Sequence, residues 1–392
     1  MLKGNLLIAH GGGPTPVINA SLRGAIEEAR KYSDAIETVY GAKFGAEGIL
    51  SDELCDLGVW GDAQLARLSD TPASAIGSCR RKIGDGDYEA VFACIKKHNI
   101  RYFFYNGGND SMDTCNKISL YAQEIGYHMR VIGIPKTIDN DLALTDHSPG
   151  YASAAKYAAL SAAELSMDAA SLPIHVVVME LMGRNAGWIT AAASLFKKSM
   201  PCDLLVYLPE LPLAPERFLD DVRDHYNRKR GLLVCVSEGV KDQNGKLYGD
   251  TGVRDGFGHV IPGGAAQSLA GLILQQTNLK ARAEKPGLIG RVSMAHKSMI
   301  DHNEAYAAGQ FAVRSAVEGQ SGYMVAISAD RTNGYTSEMT LVPLSKVANV
   351  EKTFPAEWIS PTGNAITAPF AEYCLPLIDA SAPCYTNIFA GR

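Results

Sequence analysis

Short apolar runs that stop at glycine-bearing loops alternate with helix-spaced stretches through the first half of the chain. Leu6–Ala9 ends at Gly11-Gly12-Gly13, after which Ile18, Leu22, Ala25, Ile26 and Ala29 recur at the spacing of one helix face. Val39–Tyr40 read as a further strand. Tyr88, Val91, Phe92 and Ile95 mark a second amphipathic helix, and Tyr102–Tyr105 a strand that runs into Gly107-Gly108. Met112–Ile125 is helix-like, with Ser111 placed to cap it, and Val131–Ile134 is the next strand. This rhythm predicts a parallel sheet with helices on both faces. A second set follows "DHSPGYA": an Ala-rich helix over Ala152–Asp168, then strands at Val176–Met179, Leu204–Tyr207 and Leu232–Val236. Residues 208–215 and 241–252 read as loops. The boundary between the two sets falls near 145–151. From about 345 the chain is Pro-rich and weakly periodic, and its pattern assigns no elements.

Composition narrows this only a little. A chain of 392 residues with 46% hydrophobic residues has the length for two domains and ample material for their cores. Charged residues make up 20% and the formal net charge is −5, so there is no basic excess of the kind a nucleic-acid binder carries. An anionic ligand must therefore be met by local charge. None of the eight cysteines forms a C-x-x-C pair, which argues against a zinc site and for reduced thiols in a cytoplasmic protein. The apolar run near the N-terminus is too short for a signal peptide, and no stretch approaches the roughly 20 apolar residues of a membrane span.

Ligands of open parallel sheets bind beyond the carboxyl ends of the strands, and four loops occupy such positions. "GGGPTPVINA" (11–20) offers backbone N–H groups and a helix start to an oxyanion, although alone it is equally a tight β-to-α turn. It matches neither G-x-G-x-x-G nor G-x-x-x-x-G-K-[ST]. "NGGND" (106–110) places two glycines before Asn109 and Asp110; a capping Asp explains one polar residue there, not the set. "PKTIDND" (135–141) crowds Lys136, Thr137, Asp139 and Asp141 after an apolar strand. In an extended segment Asp139 and Asp141 share a side, which suits one carboxylate as general base and the other near a cation; the plainer alternative is a solvated polar loop. "MELMGRNAGW" (179–188) brings Gly183 for close approach and Arg184 as a planar fork for phosphate; Met179 and Met182 have the character of core residues. Two weaker basic signals are "IGSCRRKIG" (76–84) and the spacing of Arg282 and Arg291 around a Pro-Gly loop.

Taken together and in this order, "GGGPTPVINA", "NGGND", "PKTIDND" and "MGRNAG" resemble the 6-phosphofructokinase family, over about Leu6 to Gly319. The resemblance implies two doubly wound α/β domains with largely parallel sheets: residues 1–148 with about 291–318 for the phosphoryl donor, and 149–290 with about 319–392 for the sugar phosphate. It also implies Mg²⁺-dependent transfer of a phosphoryl group to the 1-hydroxyl of fructose 6-phosphate, in a homodimer or homotetramer. Members that use ATP typically carry GGDG and PGTIDND, and those that use pyrophosphate carry GGDD and PKTID-x-D. Asp110 and Lys136 stand where the ATP users have glycine, so the resemblance is to the pyrophosphate-using branch. A carboxylate at 110 would repel the α-phosphate of a nucleotide. Two unit charges about 4 Å apart interact by about 4 kcal/mol at an effective dielectric of about 20, enough to discriminate donors.

The resemblance implies roles by position. Asp139 is the general base toward the sugar 1-hydroxyl, with Asp141 orienting that region. Lys136 and Arg184 stabilise charge on the transferring phosphoryl group, and Thr137 contacts it. Gly12, Gly13, Arg80, Gly107, Gly108 and Asp110 form the donor side. Met182, Gly183, Glu238, Arg282 and Arg291 match sugar-phosphate contacts, and His175 is expected to reach the substrate of a neighbouring subunit. The family's usual metal-linked aspartate is replaced by Asn109, so Asn109 and Asp110 are the expected metal ligands. "GRVSMAHKS" lacks the common Gln-Arg pair, which leaves sedoheptulose 7-phosphate open as a substrate. Two other readings remain at this level: an ATP-dependent phosphofructokinase that tolerates Asp110, and a non-catalytic regulatory subunit that binds a sugar phosphate.

Overall fold

The computed structural model describes residues 2–171, 176–228, 231–254, 260–262 and 264–386. In chain order the strands are β1 (Gly4–His10), β2 (Ile36–Ala42), β3 (Leu54–Asp56), β4 (Ile100–Gly107), β5 (Arg130–Pro135), β6 (Val176–Leu181), β7 (Asp203–Tyr207), β8 (Leu232–Ser237), β9 (Asp250–Arg254), β10 (Val260–Pro262), β11 (Ala281–Glu284), β12 (Tyr323–Asp330) and β13 (Thr336–Pro343). The chain forms two compact units, Met1–Ala152 with Arg291–Lys352, and Ser153–Gly290 with Thr353–Arg392.

The first unit is built on a seven-stranded sheet in the order β13-β12-β5-β4-β1-β2-β3. Its middle strands pair in parallel, and antiparallel strands β3 and β13 close the two edges. Apolar residues occupy both faces of the central strands because helices cover both. Leu6 and Ile8 of β1 join Tyr102, Phe104, Ile132 and Ile134 in one buried cluster, and Leu7 and Ala9 join Phe103, Tyr105 and Val131 in the other. This is the period of two that a strand imposes on its side chains.

The sequence expectation placed residues 319–352 with the second domain. The structure returns them to the first unit. The reason is pairing: Tyr323 and Met324 of β12 lie parallel to Ile132 and Gly133 of β5, and β13 folds back on β12. The second unit holds an all-parallel four-stranded sheet, β11-β6-β8-β7, and a small antiparallel pair, β9 with β10. Its core gathers Val176, Val178, Val234 and Val236 of the sheet with Phe218 and Val222 of the helix Pro215–Arg228 and Leu269 and Ile273 of the helix Ala265–Gln276. No helix among the described residues is long and apolar enough to cross a membrane.

One helix crossing fixes the first unit. The helix Ile18–Ala29, which leaves the loop after β1, packs on the helix Met299–Val317. A Cβ on Gly24 would overlap the Tyr306 carbonyl, and one on Gly309 would overlap the Ser21 carbonyl. The two backbones therefore meet without side chains between them. Gly24→Ala should destabilise the protein by about 1–3 kcal/mol, the usual cost of forcing atoms into a packed contact. Thermal or urea denaturation measures it, and an unchanged midpoint would mean that the helices do not meet this closely.

Candidate active site

The site of the first unit is made by three strands that end side by side. β1 ends at His10, β4 at Gly107 and β5 at Pro135, and their loops follow at once. The glycine loop after β1 is edged by the segment 77–80. Gly12 N–H donates to the Cys79 carbonyl at 2.9 Å, and Ser78 Oγ donates to the Gly12 carbonyl at 2.7 Å. Gly12 takes φ +75°, the left-handed region that favours glycine. A cavity of about 330 Å³ opens here, lined by Gly12, Gly13, Ser78, Arg80 and Arg291 among others. It lies at the small end of the roughly 300–1,000 Å³ of ligand pockets.

Lys136 lies beneath this loop and is 2% exposed. Its Nζ donates to the carbonyls of Gly11 and Gly13 at 2.7 Å each, and its backbone N–H donates to the Gly107 carbonyl at 3.0 Å. One residue thus ties all three strand ends together. Burial pushes its pKa down to about 7, while Asp139 and Asp141 oppose that fall and Arg291 and Arg80 add to it. An ammonium with two of its three hydrogens on carbonyls keeps one donor for an anion.

His10 is fully buried, and its Nδ1 lies 2.8 Å from Ser74 Oγ. Ser74 gives its own proton to the Gly77 carbonyl at 2.7 Å, so His10 must donate through Nδ1. Burial, with the Lys136 charge behind it, pushes His10 down to about 3, so the ring is neutral and braces the cavity wall. Nothing in the sequence distinguishes this histidine; only its place at a strand end gives it the task.

The loop after β4 differs from expectation in its start. The helix runs Asn109–Glu124 with Gly108 as its N-cap, so Ser111 stands in the first turn and does not cap it. The Ser111 hydroxyl instead fills the space where a Cβ of Gly107 would be. Asp110 is exposed, and its Oδ1 pairs with Lys82 Nζ at 2.8 Å. With side chains 51% and 67% exposed, such a pair contributes roughly 0–1 kcal/mol, so its consequence is placement. The carboxylate at 110 is therefore not an isolated anion, because the Lys82 ammonium offsets its charge. Lys82 belongs to the basic run whose sequence signal was weak.

The loop after β5 also departs from expectation. Asn140 takes φ +55°, so the segment is bent and Asp139 and Asp141 do not share one side of an extended strand. Asp139 N–H is held by Thr137 Oγ1 at 3.1 Å. Asp141 has its Oδ1 buried without a hydrogen-bond partner. Burial raises the pKa of Asp141, Glu351 adds to the rise, and Thr137 and Lys352 counter it. The loop closes on itself: Thr137 N–H donates to the Pro149 carbonyl at 3.2 Å, and Ser148 N–H to Asn140 Oδ1 at 3.0 Å. Its far limb is held by buried charge. His147 bonds Asp146 at 2.9 Å and Glu304 at 2.7 Å, and Arg331 takes both oxygens of Asp146. Burial opposes a charge on His147, but the two carboxylates outweigh it and raise its pKa to about 9.

Arg291, read as a sugar-phosphate contact, belongs to the first unit, with its Nη1 3.0 Å from where a Cβ of Gly13 would stand. Asn109 and Asp110, expected as metal ligands, are both engaged by protein groups. Oriented to donate, the Asn109 amide nitrogen lies 3.2 Å from the Val347 carbonyl and 3.1 Å from that of Val350, and Asp110 is paired with Lys82. Asp141, on the same loop as Asp139, has a buried oxygen without a hydrogen-bond partner, a hard donor suited to a divalent cation.

In the second unit Met182, Gly183 and Arg184 form the loop after β6, and Glu238 follows β8. Ser237 Oγ donates to the Gly183 carbonyl, and a Cβ on Gly239 would overlap the Arg184 carbonyl, so these two strand ends are in close contact. Burial raises the pKa of Glu238, with Arg184 and Lys285 opposing. Glu210, which no sequence pattern marked, accepts from Gly187 N–H at 2.9 Å and from Phe354 N–H at 3.2 Å and steadies the end of the loop. Arg282 lies on β11 opposite Val177. His175 lies outside the described residues.

Comparison with known proteins accords with this geometry. A profile of the family described as Phosphofructokinase matches residues 5–316. A pyrophosphate--fructose 6-phosphate 1-phosphotransferase from Methylococcus capsulatus is 40% identical, across 97% of this chain and 92% of that protein. One of the same name from Halomonas elongata is 39% identical, across 96% and 92%. The crystal structure of a pyrophosphate-dependent phosphofructokinase from Nitrosospira multiformis matches with a TM-score of 0.88 at 38% identity, across 98% of this chain and 95% of that one. The chain belongs to the phosphofructokinase family, whose members are phosphotransferases.

The buried ammonium has a pH signature. Unfolded, Lys136 titrates near its ordinary 10.5, and folded it titrates near 7. Between those values the unfolded chain holds a proton that the folded chain has released, so the cost of burying the charge is full below pH 7 and is relieved as pH rises. The urea-unfolding free energy of the wild type, relative to Lys136→Met, should therefore increase from pH 7 to about pH 9. Parallel pH dependences would show that this lysine is not held as described.

Proposed function

We propose that this protein transfers a phosphoryl group from pyrophosphate to the 1-hydroxyl of fructose 6-phosphate with Mg²⁺, giving fructose 1,6-bisphosphate and phosphate. The observation that carries the choice of donor is the Lys82–Asp110 pair, which stands where ATP-using relatives carry a bare glycine. The names of the relatives, with coverage above nine-tenths of both chains, support the same choice. Arg80, Arg291 and Lys136 supply the positive charge that a small, highly charged donor needs near the glycine loop.

In this reading Asp139 accepts the proton of the sugar hydroxyl as its oxygen attacks phosphorus. The bridging P–O bond of pyrophosphate breaks, and inorganic phosphate leaves with the electron pair. Lys136 stabilises the charge that spreads over the phosphoryl oxygens, a task the family resemblance also gives to Arg184. Mg²⁺ supplies further neutralisation of the donor when bound, and Asp141 is the residue best placed by its unsatisfied oxygen to hold it. Met182, Gly183, Glu238 and Arg282 serve the sugar phosphate, as the family resemblance implies. The protein acts in the cytoplasm as a homo-oligomer. Because donor and product phosphoesters have comparable transfer potential, the reaction runs in both directions.

Steady-state assays with pyrophosphate and ATP, each with fructose 6-phosphate and with sedoheptulose 7-phosphate, test the donor and the acceptor together. Turnover with ATP alone would replace this reading with an ATP-dependent kinase, and no turnover with either donor would favour a regulatory subunit. Asp139→Ala should lower kcat by about 10²–10⁴-fold, the range of a positioned general base, while sugar-phosphate binding persists by calorimetry. An unchanged kcat removes Asp139 from the mechanism. Asp110→Gly, with Lys136 retained beneath the glycine loop, should make ATP turnover measurable where the wild type shows none. Continued blindness to ATP would place the exclusion elsewhere, in the segment Arg80–Lys82.

A further inference from the structure

The loop 136–150 presents Asp139 and Asp141 at one end, and a lysine from the Pro-rich tail holds it from behind. Lys352 Nζ donates to the Asp146 carbonyl at 2.8 Å and lies 3.3 Å from both the Thr145 carbonyl and Asn140 Oδ1. Its backbone N–H donates to the Asp141 carbonyl at 2.8 Å, and its neighbour Glu351 bridges antiparallel to Leu142. Lys352 thus reaches the residue between the two carboxylates, the backbone of the second carboxylate and the far limb of the loop.

What it holds is the bend at Asn140. Asn140 is in the left-handed region at φ +55°, which asparagine tolerates better than most non-glycine residues but which leaves an extended conformation as an alternative. Its side-chain oxygen accepts from Ser148 N–H and lies 3.3 Å from Lys352 Nζ, so both the loop's own backbone and the tail lysine fasten the bend. If Asn140 relaxed toward an extended conformation, the direction between the Asp139 and Asp141 side chains would change. An apolar side chain of similar length would fill the volume with less desolvation. It would leave Asn140 Oδ1 with one donor fewer and two loop carbonyls without this partner.

We infer that Lys352 is a positioning residue for phosphoryl transfer: by fixing the bend at Asn140 it sets the relative placement of Asp139 and Asp141 while touching no substrate itself. The inference rests on the assignment of chemistry to this loop made under the proposed function.

The test uses the full-length protein with Lys352→Met, Lys352→Arg and Lys352→Ala, assayed with whichever donor the wild type turns over. The donor result then judges the proposed function, and the variants judge Lys352. Lys352→Met should lower kcat by about 10²-fold, the cost of a misplacement on the order of 1 Å, with KM for donor and sugar phosphate within about 3-fold of wild type. Lys352→Arg, which keeps the charge and its donors, should recover most of kcat. Propylammonium added to Lys352→Ala should raise kcat in a saturable way, which a general loss of stability would not allow. Thermal melting, run in parallel, reports the folded fraction. The inference is overturned by a near-wild-type kcat in Lys352→Met. It is equally overturned if Lys352→Arg is as impaired as Lys352→Met, or if activity in every variant simply tracks the folded fraction. If the apolar variant does not fold, the kcat of Lys352→Arg and the amine response of Lys352→Ala decide between the same two outcomes.

Discussion

A buried ammonium organises the first unit's site. Lys136 joins the glycine loop after β1, the strand end of β4 and its own β5 through two side-chain bonds and one backbone bond. Burying a cation is unfavourable unless its protons are bonded, and here two carbonyls of the glycine loop accept them. The same contacts that make the charge tolerable fix the loop that forms the cavity wall. A glycine at 136 would leave the Gly11 and Gly13 carbonyls without this donor, so the loop would need another reason to hold its shape. Lys136 therefore holds the architecture itself, so its removal would disturb the loop whatever part it plays in the proposed reaction.

A carboxylate after paired glycines reads as a negative charge in the path of a nucleotide. In the folded chain Lys82 meets it, and the pair is close to neutral. Arg80 and Arg291 line the cavity at the glycine loop and Lys136 lies beneath that loop, so positive charge gathers there. In the proposed function, discrimination between donors therefore does not have to rest on repulsion from an isolated carboxylate at 110.

Strands were legible because their burial is two-sided. Runs such as Leu6–Ala9 and Tyr102–Tyr105 are apolar at every position, and both faces of the sheet are covered. The site loops were legible because glycines and charges together at strand ends satisfy no simple packing need. Other features left no local trace. Tyr323 and Met324 pair with β5 across a long separation in sequence, and β13 reaches the sheet only through β12, which periodicity does not reveal. The bend at Asn140 depends on partners at 148 and 352, so the spacing of the aspartates alone suggested an extended segment. The donation of the Asn109 amide to the carbonyls of Val347 and Val350 likewise spans a separation that the motif around it does not show.

The far limb of the loop 136–150 shows why so much charge is buried near the chemistry. His147, Asp146, Glu304 and Arg331 could in principle be replaced by apolar groups with no loss of stability, since desolvation consumes most of what buried ion pairs return. Ion pairs differ from apolar contacts in being directional. Arg331 accepts only one orientation of Asp146, His147 must align both ring nitrogens with different carboxylates, and Tyr335 donates to Glu304 from a further strand connection. A loop held by apolar packing alone could slide by an ångström at little cost, and in the proposed reaction such a shift at Asp139 would misplace the base. A loop held by this network cannot slide without breaking several directional bonds at once. The charge behind the site is best understood as the source of its precision, and Lys352 extends that network to the turn between the two aspartates.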